Sequence, residues 1–182
     1  EQDGSQVGVF RYIAEQGVVK NLKVEGSVTP GGSRENIGGI AGENRGSILQ
    51  CSFDGTVEGK DTVGGIVGKN VGEVRACSAS GEIRGEISVG GIAGENTGLL
   101  AECKNTADVN TEYEEKKQAL TDLDTDAAAI LEKYRISKEE TERSSLTYTD
   151  IGGVVGFSDG VVQGCKNYGE VGDPHVGYKI GG

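Results

Sequence analysis

The sequence lacks several residue types on which most folded domains rely. Methionine and tryptophan are absent, and the 182 residues include only three phenylalanines, two prolines and one histidine. A wide core centred on large apolar side chains is therefore excluded. What remains suits a thin core built from small and medium aliphatic residues.

Excess positive charge and long apolar runs are also missing. The net charge of −11 argues against binding to nucleic acid or to anionic membranes, because both need basic patches. No run of eighteen apolar residues occurs, so we expect no membrane insertion. The chain begins in polar residues and stops within a repeat, so we expect the remaining repeats of one longer chain as its neighbours.

Glycine, by contrast, is abundant and regularly placed, with 32 copies in the chain. Four Gly-Gly pairs begin at Gly38, Gly64, Gly90 and Gly152, and a cysteine follows each at the same spacing. The first three pairs are 26 residues apart, and the fourth follows the third after 62 residues. A fixed period of this kind predicts stacked copies of one small unit.

Short runs of β-branched residues between the glycines predict strands. One apolar column consists of Val19, Ile48, Val74, Leu100 and Val162. The prediction is an all-β, right-handed parallel β-helix, a β-solenoid of about 26 residues per coil with about three strands in each. We expect a single domain over residues 8–182, with coils at 8–110 and 151–182 and the last coil incomplete.

Two further columns are predicted to form ladders inside the stack. Free cysteines behave as small buried apolar residues, and asparagine suits tight corners. The cysteine column is Cys51, Cys77, Cys103 and Cys165, with Leu22 at its start, and the asparagine column is Asn44, Asn70 and Asn96. Disulfides between stacked cysteines stay an open alternative, whereas the absence of C-x-x-C and the distant His175 disfavour metal binding.

Residues 111–149 interrupt the repeat and are predicted to form a helical insertion. The segment 126–135 has strong helix propensity and one apolar face. Asp122, Asp124 and Asp126 resemble the start of a calcium loop, but the glycine and glutamate that such a loop needs are missing. The insertion either packs on the flank of the stack or projects from it to bind a partner.

The copies GGIAGENRGSILQCSFDG, GGIVGKNVGEVRACSASG and GGVVGFSDGVVQGCKNYG resemble the GLUG repeat of bacterial surface and secreted proteins. The resemblance implies a β-helix segment of a large extracellular or cell-wall protein. Some such proteins are adhesin-like, and in others the segment belongs to the non-catalytic region of IgA-protease-type zinc metallopeptidases. No catalytic residue carries over, since the H-E-x-x-H motif does not occur.

We therefore expect a non-enzymatic surface module without cofactor or metal, acting as a scaffold, stalk or adhesion segment. Its partner would be a host or matrix protein or a glycan, bound through residues 111–149. The alternatives are an accessory domain of a secreted metallopeptidase and a carbohydrate-active β-helix. The last is disfavoured because the six tyrosines share no repeat column and the acids are scattered.

Overall fold

The computed structural model describes residues 5–32, 34–111, 149–172 and 178–181, and in these residues the chain is all-β without a helix. The strands are β1 Phe10–Ile13, β2 Val18–Lys20, β3 Lys23–Val28, β4 Glu35–Gly38, β5 Ala41–Asn44, β6 Ser47–Leu49, β7 Ser52–Glu58, β8 Asp61–Gly64, β9 Val67–Asn70, β10 Glu73–Arg75, β11 Ser78–Arg84, β12 Ile87–Gly90, β13 Ala93–Asn96, β14 Leu99–Ala101, β15 Lys104–Asn105, β16 Asp108–Val109, β17 Thr149–Gly152, β18 Val155–Ser158, β19 Val161–Gln163, β20 Lys166–Asn167 and β21 Tyr178–Gly181.

These strands stack into four parallel sheets, which confirms the predicted parallel β-solenoid. Sheet A is β4, β8, β12, β17 and β21; sheet B is β1, β5, β9, β13 and β18; sheet C is β2, β6, β10, β14 and β19; sheet D is β3, β7, β11, β15 and β20, with β16 also paired to β11. A coil passes through sheets A, B, C and D in that order. The coils are numbered so that β8 to β11 form the third coil.

Each complete coil contains four strands, where the sequence suggests about three. The difference arises at the Gly-Gly pair, because the corner Gly65-Ile66 divides one apolar run into β8 and β9. The two strands then belong to different sheets and lie face to face. The cross-section of the solenoid is consequently flatter than three well-separated walls would make it.

Glycine allows sheets A and B to pack with backbone against backbone. A Cβ atom on Gly64 would overlap the carbonyl oxygen of Val67 in its own coil, and one on Gly68 would overlap the backbone of Asn36 in the coil before. The equivalent glycines of the other coils, Gly38, Gly90, Gly152, Gly94 and Gly156, meet the same obstacles. The glycine template is therefore a requirement of close approach between two sheets.

The core is one continuous cluster made of columns of equivalent residues. Ile37 pairs with Val63, Val63 with Val89, and Val89 with Ile151, and all four side chains are buried. The inward column of sheet C is Ile48, Val74 and Leu100, flanked by the less buried Val19 and Val162. Each apolar side chain is thus covered by its own copies above and below.

Two corners of every coil are single residues in the left-handed conformation. With φ between 51° and 63°, these bends lie at Asn36, Thr62, Ser88 and Asp150 before sheet A, and at Asn21, Gln50, Ala76, Glu102 and Gly164 before sheet D. Side chains other than glycine are strained at such angles. The column repeats the strain because the bend places the following residue, such as Cys77, in the core.

The predicted helical insertion lies outside the described residues except for its two ends. Val109 pairs with Ile83, and Ile151 pairs with Val89, so the chain leaves and rejoins the stack in register. The interruption of the repeat therefore does not shift the alignment of the fourth and fifth coils.

The close contact between sheets A and B can be tested by adding one methyl group. We expect Gly68→Ala to lower the free energy of unfolding by about 3 kcal/mol, because the Cβ atom would overlap the backbone of Asn36. Gly31→Ala is the matched control, since no atom lies within 4 Å of its Cβ position. Equal urea-unfolding midpoints for the two variants would contradict the backbone contact.

Candidate functional site

An asparagine ladder runs along the corner between sheets B and C. Asn44 Nδ2 donates to Asn70 Oδ1 at 2.8 Å, and Asn70 Nδ2 donates to Asn96 Oδ1 at 2.8 Å. The ladder ends where Asn96 Nδ2 donates to Ser158 Oγ at 3.1 Å. The three asparagines are fully buried, and Asn44 Oδ1 also accepts from the N–H of Gly46 at 3.1 Å. The ladder thus satisfies buried amides while holding adjacent coils together.

A second asparagine pair lies in sheet D and was missed in the sequence. Asn105 Nδ2 donates to Asn167 Oδ1 at 2.9 Å, and Asn105 Oδ1 accepts from the N–H of Ala107 at 3.0 Å. In the two preceding coils the same column holds Phe53 and Ala79. The only signal is the Lys-Asn dipeptide after the last two cysteines, which is too short to stand out as a column.

Asn110 holds the point at which residues 111–149 leave the stack. Its Oδ1 accepts from the N–H of Gly85 and its Nδ2 donates to the carbonyl oxygen of Gly85, both at 2.9 Å. On the return, the N–H of Thr149 donates to the carbonyl oxygen of Glu86 at 3.0 Å. Exit and return are therefore both bound to the same corner of the third coil.

The four cysteines occupy one column as free thiols, with three of them buried. Cys51, Cys77 and Cys103 are 1–2% exposed, and each thiol donates to the carbonyl oxygen two residues earlier at 3.2–3.3 Å. Cys165 is only half-buried, because within the described residues no strand lies beyond β20. Leu22 is partly buried against the same core, next to Cys51.

Hydrogen bonding and burial raise the pKa of two of these thiols. The hydrogen bond with Cys77, together with burial, raises the pKa of Cys103 well above its ordinary value. Burial is the main cause of the raised pKa of Cys165. Since the thiolate is the reactive form, both groups are poor nucleophiles at neutral pH.

The outer walls carry short ion pairs between residues on the same strand or corner. Arg45 Nε lies 2.8 Å from Glu43 Oε1, and Arg75 Nε lies 2.7 Å from Glu73 Oε1. These hydrogen bonds raise the pKa of both guanidinium groups. Among the residues that the structure describes, no three His, Cys, Asp or Glu side chains form a group suited to a metal ion.

The corner between sheets D and A is where the coils differ most. It consists of residues 59–60 in the second coil and 85–86 in the third, but of residues 29–34 in the first and 110–148 in the fourth. The other corners keep nearly the same length throughout, apart from 14–17 between β1 and β2. Length variation in solenoids gathers on the face that carries binding loops.

A cleft of about 350 Å³ lies at this D–A corner. Its lining residues are Thr29, Pro30, Gly31, Gly32, Glu58, Gly59, Lys60 and Glu86. The two glutamates give it an acidic rim, and the same corner of the third coil holds both ends of residues 111–149. A separate opening of about 600 Å³ lies at the fifth coil, with Ile151, Cys165 and Asn167 in its lining.

Two of the sequence-based site assignments fall outside the described residues. They are His175 and the inner part of the insertion, 112–148. No helix in the described ranges is both long and apolar enough to cross a bilayer.

Comparison with known proteins identifies one motif. Residues 61–84 match the family model described as the GLUG motif. The matched segment runs from the first residue of β8 to the last residue of β11, which is one complete coil. No curated protein and no solved structure matches the chain.

The asparagine ladder should contribute more at its centre than at its end. We expect Asn70→Ala to lower the free energy of unfolding by about 3 kcal/mol, because buried groups of Asn44 and Asn96 lose their partner. The exposed end offers the control, and Ser158→Ala should cost about 1 kcal/mol. A larger loss for Ser158→Ala than for Asn70→Ala in thermal unfolding would refute this assignment.

Thiol labelling should separate Cys165 from the other three cysteines. In native protein a maleimide reagent should modify Cys165 alone, and in urea all four thiols should react. Because burial raises the pKa of Cys165, its labelling rate should keep rising with pH beyond the ordinary thiol range. Rapid modification of Cys77 in the native protein would show that the column is accessible.

Proposed function

We propose that this GLUG-repeat β-solenoid is a non-enzymatic module of a bacterial surface or secreted protein. It acts as a rigid scaffold that displays the segment 111–149 to a host or matrix protein or a glycan. The observation that carries the proposal is the concentration of variable loops at the D–A corner, beside the acidic cleft. The remaining repeats of a longer chain would extend the scaffold on either side.

The rigidity that a scaffold needs is supported by the contacts between coils. Backbone hydrogen bonds of sheets A to D, two asparagine ladders and one apolar cluster connect each coil to its neighbours. Loops on such a support can change in sequence and length without altering the stack. Asn110 and Thr149 tie the displayed segment to that support at both ends.

The third coil shows how the displayed segment can be removed in register. There, residues 85–86 join β11 to β12 directly. Replacing 111–148 by Gly-Lys, as at 59–60, would join Asn110 to Thr149 in the same way. We expect this shortened variant to keep its strand signal in circular dichroism and to lose at most about 3 kcal/mol of stability.

The binding role is tested by comparing the shortened variant with the intact chain. A control variant carries residues 111–148 in shuffled order, which keeps length and charge. Fibronectin, collagen and mucin glycans serve as immobilised probes. The intact chain should bind at least one of them about tenfold more tightly than either variant, a difference of about 1.4 kcal/mol. Binding that survives the replacement, or none to any probe, would refute the display role.

A further inference from the structure

We propose that Cys103 and Cys165 form a redox-controlled covalent clasp between the fourth and fifth coils. The two residues are stacked directly, since the N–H of Lys166 donates to the carbonyl oxygen of Cys103 at 2.9 Å and Lys104 pairs with Lys166. Their Cα atoms are thus one strand spacing apart, about 4.8 Å. This separation lies within the range of roughly 4.4 to 6.8 Å that a disulfide spans.

Access distinguishes this pair from the other stacked cysteines. Cys165 is half-buried and lies in the lining of the opening at the fifth coil, whereas Cys51 and Cys77 are 2% and 1% exposed. An external disulfide can therefore reach the sulfur of Cys165 and no other. The thiol of Cys103 is its hydrogen-bonding neighbour in the column, so the resolving group is already in place.

The chemistry is thiol–disulfide exchange with a small external disulfide as oxidant. The Cys165 thiolate attacks the reagent, forms a mixed disulfide and releases one thiolate. The Cys103 thiolate then attacks the Cys165 sulfur, and the second thiolate of the reagent leaves. Two protein thiols are oxidised by two electrons, the external disulfide is reduced to two thiols, and the protons of both cysteines pass to the leaving thiolates.

The clasp would enclose the longest interval between cysteines in the column. Cys51 and Cys77 are 26 residues apart, whereas Cys103 and Cys165 are 62 apart and enclose the whole excursion from the stack. A longer closed loop restricts the unfolded chain more. Oxidation should therefore fasten the coil after the displayed segment to the coil before it. The inference depends on the column geometry and is independent of the proposed binding role.

The test uses the intact chain incubated with oxidised glutathione, followed by alkylation, proteolysis and mass spectrometry. We expect two of the four thiols to be lost and one linked peptide pair to contain Cys103 and Cys165. Oxidised protein should melt about 10 °C above the reduced protein. Cys165→Ser should abolish both the linkage and this shift, while Cys51→Ser, a change remote from the pair, should keep both.

Three outcomes would overturn the clasp. One is a glutathione adduct that persists on Cys165 without an internal linkage. The second is retention of all four thiols under oxidation. The third is a linked pair other than Cys103 with Cys165, which would show that access does not select the reacting cysteines. Because wild-type protein alone decides among these outcomes, misfolding of a variant cannot obscure the result.

Discussion

Stacking of identical backbones at one strand spacing is the constraint on which the rest of this structure depends. Parallel pairing puts each residue directly over its copy, so a side chain that fits in one coil must fit against itself in the next. Sheets A and B add a second demand, because their backbones touch and only glycine leaves room. The glycine template, the left-handed corners and the apolar columns all follow from these two contacts.

Polar ladders turn this geometry into stiffness. A buried amide that faces another buried amide has both a donor and an acceptor in reach, so the column Asn44, Asn70 and Asn96 loses no hydrogen bond on burial. The same contacts restrict sliding of one coil over another, because a shifted coil would leave the amides unpaired. Variation is left to the D–A corner, where added residues extend away from the stack.

Much of the fold could be predicted because its rules are periodic. The repeat gave the parallel solenoid, the columns and the register across the insertion, since equal spacing in sequence means equal position in the coil. The fourth strand of each coil was not predicted, because glycine is not a strand-forming residue and only contact between two sheets explains it. The pair Asn105 and Asn167 was missed because a column of two members has no visible period.

The sequence by itself determined the repeat length, the parallel stacking, the core columns and the GLUG motif, because each is set by residues recurring at a constant interval. Only the tertiary structure decided which corner carries the long connections and how the cysteines differ in exposure. Cys103 and Cys165 have the same place in the repeat, yet one is covered by a neighbouring coil and the other lies at an opening. Exposure depends on what packs above a residue, and a local pattern does not contain that information.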